Sequence, residues 1–444
     1  MVVTNTWESF LVHPNNEWGG SYLASKVDML RLIDGFRLIG LLVLPLVVVL
    51  RAVADSGPVD PFADLQLAPA PVTLGEPEGF LSHNFTFKKE VFSQFSYGPT
   101  ATMSDDSADT EGWYSRQSVG AEVFKKFSDA SSTLGALDLQ GRIVRRDNYV
   151  AVIDDEEGAD REGWYFEYHN LYLDLYNVFN PLLDESQRGP ATGHFNFRIG
   201  HFYVPFGLNL QTDTHGAVLQ LSNDRNFGFE RDWYGGFYGS ITPELNYDLY
   251  YLLGSGYDPT LLGQAGLVGA RVSLANTLLN EYGIEGGLSF LGGQRRSDDT
   301  IDRSKAIAEE AIRGEFVSTE RIGIDARYSH LLAQGSITGT AELSAGEDNP
   351  EHVFTQLYQV DYLPQSRRWG VATQFRRFHQ SFSQSDPTRL NDADSSIIGE
   401  LTWYFRNDIG NTNLHWVKLN VEQQLERMSG SRSTVTTLQY YRYW

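Results

Sequence analysis

The sequence predicts an all-β protein whose strands form a transmembrane antiparallel β-barrel of about 16 strands, within a range of about 14 to 18. Three observations predict this fold class. Apolar and polar residues alternate along most of the chain, which is the period of a strand with two unlike faces. Aromatic residues are abundant, with 23 Tyr, 26 Phe and 9 Trp. The connectors between alternating segments fall into a short class and a long polar class, as they do in membrane barrels.

The composition fits such a barrel and excludes several classes of function. A chain of 444 residues is long enough for two or three soluble domains or for one large barrel. Hydrophobic residues make up 41%, too few for a bundle of membrane helices but suited to strands with only one face in lipid. The absence of cysteine excludes disulfides, thiolate metal sites, haem attachment through CxxCH and a lipoprotein anchor. A net charge of -22 repels polyanions, so we expect no nucleic acid partner.

Residues 1–54 are predicted to be a leader and signal peptide. Leu38–Leu50 is the only long apolar run; at about 13 residues it is too short for a spanning helix, and Pro45 interrupts it. Ala52–Ala54 follows as a small-residue box, which predicts cleavage after its last residue. Met29 is an alternative start that would give a signal of ordinary length, and an uncleaved anchor is the other interpretation.

Residues 55–79 are predicted to be an acidic, proline-rich linker, since five prolines lie between positions 58 and 77. Such a composition favours an extended chain without a packed core. The barrel is therefore predicted over residues 80–444. At roughly 23 residues for each strand and its share of the loops, this length holds about 16 strands, and bacterial barrels have even strand numbers.

Within the barrel region, one face of each predicted strand is apolar and the other is polar or charged. In Arg321–Tyr328 isoleucines alternate with arginines and an aspartate, and Ile397–Arg406 repeats the pattern with larger side chains. Apolar residues occur on both faces of Trp164–Val178 in places, which predicts either a bulge there or a different register from the one assumed. An array of soluble sandwiches is the alternative, although it would not need a signal peptide. Similar alternating segments are Leu134–Val144, Phe195–Gly200, Leu245–Leu252, Leu267–Leu274, Ile284–Phe290, Ser336–Leu343, Phe354–Tyr362 and Trp416–Leu425.

The connectors predict the two ends of the barrel. Ala333–Gly335 and Asn407–Asn413 are short enough for tight turns, as on the periplasmic side of membrane barrels. Ile301–Arg313 has a helical period and is predicted to be a helix in a surface loop, or alternatively a loop folded into the pore. The long polar connectors, expected on the outer side, are Gly98–Gly112, Asn148–Gly163, Asn209–Tyr234, Gly292–Phe316 and Ser381–Ser395.

If the apolar faces meet lipid, the polar faces line a lumen. A barrel of this strand number encloses water, and charged walls stay solvated and set the field that polar solutes meet. Both signs of charge are present in similar numbers, so we expect an open pore without a strong ion preference. A plugged barrel, in which the charges neutralise one another, is the alternative. The predicted pore-lining residues are Asp138, Arg142, Arg198, Asp248, Arg271, Glu285, Asp325, Arg327, Glu342, Asp361, Glu400, Arg406, Lys418 and Glu422.

The final stretch, Thr434–Trp444, alternates between an apolar face with Leu438 and a polar face with Gln439, and it ends on an aromatic residue. It resembles the terminal strand of bacterial outer-membrane β-barrels, which closes the seam and serves as the assembly signal. The resemblance implies a location in the outer membrane of a Gram-negative-type bacterium, with membrane lipid and the barrel assembly machinery as partners. Arg442 would lie near the membrane boundary, where its side chain can reach water.

The stretch Gly200–Gly207 (GHFYVPFG), followed by Arg225, Arg231 and Gly235, resembles bacterial phosphate-selective porins of the O/P type. Those proteins carry a strand that ends in a G-x-F-x-x-P-F-like turn, then a loop with arginines and a glycine-rich strand. The resemblance implies a sixteen-stranded, homotrimeric channel for passive diffusion of small polar solutes or ions. Anion selectivity in that family needs a ladder of arginines, which the predicted wall does not supply. The residues of the family-like turn are Gly200, Phe202, Pro205, Phe206 and Gly207.

No motif for catalysis or cofactor binding is present, since HExxH, the P-loop and the dinucleotide GxGxxG are all missing. We therefore predict no enzymatic activity, no cofactor and no metal site; His201 is expected to be a hydrogen-bonded wall residue. Two alternatives stay open. One is the barrel sheath of a porin–cytochrome electron conduit, with another chain filling the lumen. The other is an outer-membrane hydrolase built from His215, Ser222 and Asp224.

Overall fold

Alternating residues produce strands along the whole described chain, and sixteen antiparallel strands close into one barrel there. The computed structural model describes residues 85–100, 110–128, 133–147, 163–179, 193–208, 231–254, 266–274, 283–296, 316–348, 351–381, 392–407, 413–426 and 434–444. The predicted fold class and strand number are confirmed. The strands are β1 (Thr86–Thr100), β2 (Thr110–Ser128), β3 (Thr133–Asp147), β4 (Gly163–Leu175), β5 (Asn196–Tyr203), β6 (Arg231–Thr242), β7 (Leu245–Leu252), β8 (Gly266–Leu274), β9 (Ile284–Arg296), β10 (Phe316–Leu332), β11 (Gly335–Asp348), β12 (Glu351–Pro364), β13 (Trp369–Ser381), β14 (Asp392–Asn407), β15 (Leu414–Glu426) and β16 (Thr434–Tyr443).

Each strand pairs with its neighbours in the chain, and the last strand pairs with the first. In this seam Glu90 lies opposite Tyr443 and Tyr97 lies opposite Thr436. The ladder continues to the last residue, whose amide and carbonyl both bond to the backbone of Lys89, at 3.1 and 2.9 Å. A closed ladder leaves no strand edge, which is the condition for β-structure in lipid. The predicted closing of the seam by the final strand is confirmed.

Because consecutive strands are antiparallel, the strand ends joined by odd-to-even connectors lie at one rim and those joined by even-to-odd connectors lie at the other. All five long connectors predicted from sequence belong to the first rim, and both short ones belong to the second. The strands run further than predicted, since β1 reaches Thr100 and β14 begins at Asp392. Polar residues beyond the bilayer can still form ladder bonds while their side chains meet water. The predicted helix Ile301–Arg313 lies outside the described residues.

The two faces of the wall have the reverse polarity of a soluble protein. On β16 Leu438 is 48% exposed and Gln439 is 5% exposed; on β14 Trp403 is 52% exposed and Thr402 is 2% exposed. Exposed apolar side chains therefore cover the outside of the barrel and polar side chains point inward. This arrangement suits a barrel surrounded by lipid, because only one face of each strand meets hydrocarbon.

A bulge in β4 shifts the pattern of its two faces. The pairing with β3 jumps from Tyr168 to Asn170, so that His169 has no residue opposite it. As a result, exposed apolar residues change from even positions such as Phe166 to odd positions such as Leu171. The bulge that the sequence predicts for this strand is confirmed.

The predicted leader, residues 1–54, and the predicted linker, residues 55–79, lie outside the described residues. The barrel predicted to start at residue 80 has its first strand from Thr86. Among the residues that the structure describes, no helix has the length and apolar character needed to cross a bilayer.

Candidate functional site

The chain turns into the barrel interior immediately after β5. We call Val204–Leu208 the inward segment. Val204 and Phe206 are both fully buried. The segment bonds to strands as far away as β11, from which β5 is separated by five strands of the wall. Only the lumen connects these positions, so the segment reduces the open cross-section of the barrel.

Three hydrogen bonds tie the backbone of the inward segment to side chains of the wall. With the donor first, they are Tyr250 Oη to the carbonyl of Pro205 (3.0 Å), the amide of Gly207 to Ser289 Oγ (3.0 Å) and the amide of Leu208 to Glu342 Oε2 (3.4 Å). The side chains come from β7, β9 and β11. The segment is therefore anchored across the lumen by groups that the wall already holds in place.

Gly207 is required by the geometry of the inward segment. Its φ of +63° is a left-handed conformation that side chains disfavour, and a Cβ atom would collide with the carboxylate of Glu342. Phe206 fills the neighbouring position so closely that a Cβ atom on Gly323 of β10 would lie 2.8 Å from its ring. Both glycines thus allow the segment to lie against the wall.

The family-like turn overlaps this inward segment: Gly200 and Phe202 lie in β5, whereas Pro205, Phe206 and Gly207 lie in the segment that follows the end of the strand. Strand β5 ends at Tyr203. Pro205, two residues later, has no backbone amide to donate and cannot continue the ladder. The side chain of Phe206 then needs an apolar partner away from water. The inner faces of β6 to β9 supply it, which draws the segment into the barrel.

The apolar partners form a small core inside the barrel, contrary to the expectation of a uniformly polar wall. It consists of residues from the inward segment and from four strands: Val204, Phe206, Tyr234, Tyr250, Leu252, Leu267 and Leu291, with Phe202 packed against it. Full burial of one such side chain stabilises a fold by roughly 1.5 to 3 kcal/mol. The inward segment is therefore a packed element of the fold.

A cavity of about 250 Å³ lies between the inward segment and the inner faces of β5 to β9. Arg198, Asp248 and Arg271 supply charged groups to its lining. Phe202 and Tyr250 supply aromatic surface. A solute in the lumen at this height meets charged and aromatic groups together.

The predicted pore-lining residues lie almost entirely on the inner side of the wall. All but Arg406 are buried or half-buried, on the side of their strand opposite the exposed apolar residues. Arg406 is exposed and lies beside a register shift between β14 and β15. Their role in lining a pore stays a prediction. The other thirteen are Asp138, Arg142, Arg198, Asp248, Arg271, Glu285, Asp325, Arg327, Glu342, Asp361, Glu400, Lys418 and Glu422.

Most of the charges on this inner wall form ion pairs. Six of the pairs are Arg142–Glu90, Arg198–Asp174, Arg271–Asp325, Arg327–Glu285, Arg376–Glu422 and Lys418–Glu400; Arg116 also binds Glu167, and Arg295 and Arg321 both bind Asp348. Glu90, Asp174 and Arg376 were missing from the predicted set. Their strands carry aromatic residues on both faces, which hides the alternation that located the others. Paired charges make the described wall close to neutral over short distances.

Three of these six pairs reach across a whole strand: Arg142–Glu90, Arg271–Asp325 and Arg376–Glu422. Arg142 of β3 and Glu90 of β1 meet above Gly120 of β2, where a Cβ atom would touch both side chains. Arg271 of β8 and Asp325 of β10 meet in the same way above Gly287 of β9. A glycine in the middle strand gives the first two pairs the room they need, whereas in the third Arg376 also donates to Ser396 Oγ of β14 at 2.9 Å.

The inward segment and the wall together narrow the lumen. Among the described residues, no cluster of His, Cys, Asp and Glu could hold a metal ion. His201 shares a hydrogen bond of 2.9 Å with the carbonyl of His169, as expected for a wall residue. His215, Ser222 and Asp224 lie outside the described residues.

Comparison with known proteins places the fold among outer-membrane barrels. No family model and no curated protein matches the sequence. The structure is similar to OprB of Pseudomonas putida, with a TM-score of 0.51, 10% identity and coverage of 81% of this chain and 94% of that one. An anion-selective porin from Comamonas acidovorans has a TM-score of 0.49 and 11% identity, and the match covers 81% of this chain and 99% of that one. The outer membrane channel DcaP of Acinetobacter baumannii has a TM-score of 0.47 and 8% identity, with coverage of 83% of this chain and 100% of that one. At such identity the likeness to OprB shows a shared fold, in agreement with the predicted β-barrel.

Proposed function

We propose that this chain forms a narrow, water-filled channel in the outer membrane of a Gram-negative-type bacterium, for passive diffusion of small polar solutes or ions. The observation that carries the proposal is the closed barrel with a polar inner wall and an apolar outer surface, narrowed by the inward segment. A polar wall replaces part of the hydration of a passing solute, and a constriction sets the size limit.

The paired charges of the wall support a channel with little preference for either ion sign. An ion near such a wall meets both signs within a few ångströms, so the attraction and repulsion largely cancel. A relation to O/P-type porins is supported by the family-like turn alone. Phosphate selectivity is not part of the proposal, because the arginines of the described ion pairs already have carboxylate partners.

Single-channel recording in planar bilayers tests the channel directly. We expect discrete current steps from the purified, refolded protein in a potassium chloride gradient. The reversal potential should lie near zero or slightly on the cation side. A strong anion preference would overturn the charge assignment of the wall, and a folded barrel that never conducts would overturn the channel itself.

The two alternatives have their own tests. A sheath needs a lumen free for another chain, whereas the inward segment already reaches from β5 to β11 inside this barrel. Haem that co-purifies with the chain from its native membrane would support the sheath. Hydrolysis of lipid or peptide by the purified protein, lost on His215→Ala, would support the hydrolase.

The proposal also covers assembly and processing. We propose a homotrimer, inserted by the barrel assembly machinery through the final strand and surrounded by membrane lipid. Chemical cross-linking in detergent should give a band of three subunits, and deletion of Trp444 should prevent insertion. Amino-terminal sequencing of the mature protein should give a start after Ala54.

A further inference from the structure

We propose that the cavity behind the inward segment binds a small organic ammonium ion, with Asp248 as its counter-charge. This inference rests on the proposed channel, since the solute would enter from the lumen. Asp248 would select organic ammonium ions among the solutes that enter the lumen. The other charges of the lumen are mostly paired.

Asp248 differs from the other charged groups of the cavity. It lies on the inner face of β7, is half-buried and lines the cavity. Within the described part of the chain, its carboxylate accepts no hydrogen bond and forms no ion pair of its own. The charges that act on it most are those of Arg271 and Arg198.

Both arginines are already held by other carboxylates. Arg271 binds Asp325 through both terminal nitrogens, with Nη2 to Oδ1 at 2.8 Å, and also donates to Ser289 Oγ at 2.9 Å. Arg198 binds Asp174 through two bonds of 2.6 and 2.7 Å. Bidentate pairs of this kind fix the guanidinium groups in place.

The local charges therefore leave an excess of at least one negative charge, since Glu342 also acts on Arg271. Two guanidinium groups stand against the carboxylates of Asp174, Asp248 and Asp325, while Glu285 at the edge of the cavity is neutralised by Arg327. A half-buried charge without a partner costs free energy, and a bound cation removes that cost.

Aromatic and apolar groups around Asp248 favour an organic cation over a bare metal ion. Tyr234 and Tyr250 line the cavity, and their rings pack edge to face at 6.3 Å, while the ring of Phe202 is already covered by the guanidinium of Arg198. Ring faces attract ammonium groups, and Leu208 offers a contact for a short alkyl chain. A volume of about 250 Å³ is below that of pockets for drug-sized ligands, so the ion must be small.

Block of the channel current by n-butylammonium tests the site. We expect a voltage-dependent block of the wild-type current that needs about tenfold more n-butylammonium in Asp248→Asn, since one charge contact is lost. Glucose and acetate should not block, because neither neutralises the carboxylate. The matched control is Glu244→Gln in the turn between β6 and β7, which removes a negative charge from the same hairpin outside the cavity. Its block should equal that of the wild type.

A block that is unchanged in Asp248→Asn, or an equal block by glucose, would overturn the proposal. A readout without current keeps the two proposals separate. n-Butylammonium should raise the unfolding temperature of the wild type and of Glu244→Gln but not that of Asp248→Asn. A barrel that conducts but shows no such difference refutes the ammonium site alone. A barrel that binds the ion without conducting refutes the channel alone.

Discussion

At the scale of single residues, the narrowing of the lumen depends on a few contacts of the inward segment. The amide of Leu208 donates to Glu342, and the amide of Gly207 donates to Ser289, which also accepts a bond from Arg271. Wall residues that carry charge thus also hold the segment. A change in any of these contacts alters the opening of the channel as well as its stability.

Substitution Gly207→Ala should widen the channel. A left-handed backbone costs an ordinary residue about 1 to 2 kcal/mol, and the new methyl group would collide with Glu342, so the segment must move from the wall. We expect a larger or noisier single-channel conductance. Gly399→Ala is the control, because a Cβ atom there has no neighbour within 4 Å. Equal conductance in both variants would show that the segment does not limit the current.

Substitution Phe206→Ala should remove the anchor of the same segment. Truncating a fully buried phenylalanine costs about 3 to 5 kcal/mol of folding stability. The unfolding temperature should fall and the conductance should rise together. Phe95→Ala is the control, since Phe95 is exposed on the outer face and its loss should leave the conductance unchanged. A stability loss without any change in current would place Phe206 away from the conducting path.

At the scale of strands, ion pairs that cross an intervening strand bind the wall together beyond the hydrogen-bonded ladder. The side chains of Arg142 and Glu90 are 1% and 2% exposed, whereas those of Arg145 and Asp147 are 46% and 43% exposed. Removing one partner of a buried ion pair lowers the folding stability strongly, because the other charge stays buried without an opposite charge. An exposed pair contributes little.

The two arginines of β3 therefore give a matched comparison. Arg142→Met should destabilise the barrel by about 3 to 5 kcal/mol, since Glu90 would be left without its partner. Arg145→Met should change the stability by no more than about 1 kcal/mol. The measurement is the temperature at which the folded band disappears from a heat-modifiability gel. Similar temperatures for the two variants would contradict the buried pairing across β2.

The strands and their faces were predictable because the alternation of side chains is a local property of the sequence. The period of Arg321–Tyr328 identified β10, and the apolar pattern on both faces of β4 located its bulge. Local pattern does not show where a strand continues beyond the bilayer, so β1 and β14 are longer than expected.

The candidate site was only partly predictable, since its contacts join residues far apart in the chain. Most of the predicted wall charges fall on the buried side of their strands, but their partners depend on the stagger between strands. Phe206 packs beside Gly323, and Leu208 bonds to Glu342, more than a hundred positions away. The turn-like motif with Pro205 does not indicate whether the chain turns into the lumen or away from it. The aromatic residues on both faces of β6 and β7, such as Trp233 beside Tyr234 and Tyr250 beside Tyr251, were the available hint that the lumen holds a core.

At the scale of the whole molecule, the barrel reverses the usual distribution of side chains: apolar groups lie outside and polar groups lie inside. Leu438 and Gln439 are neighbours in β16, yet one faces outward and the other faces the lumen. Lipid outside and water inside explain both positions at once. The chain contains no cysteine, so single cysteines can report on these surroundings without a background signal.

Thiol labelling at this pair of residues during current recording tests the two-sided wall most directly. A charged methanethiosulfonate reagent added to the aqueous phase should react with Gln439→Cys and change the current in a step. Leu438→Cys should not respond, because lipid shields it from the reagent. Equal reaction at both positions, or reaction at Leu438→Cys alone, would contradict a barrel with lipid outside and a conducting aqueous lumen inside.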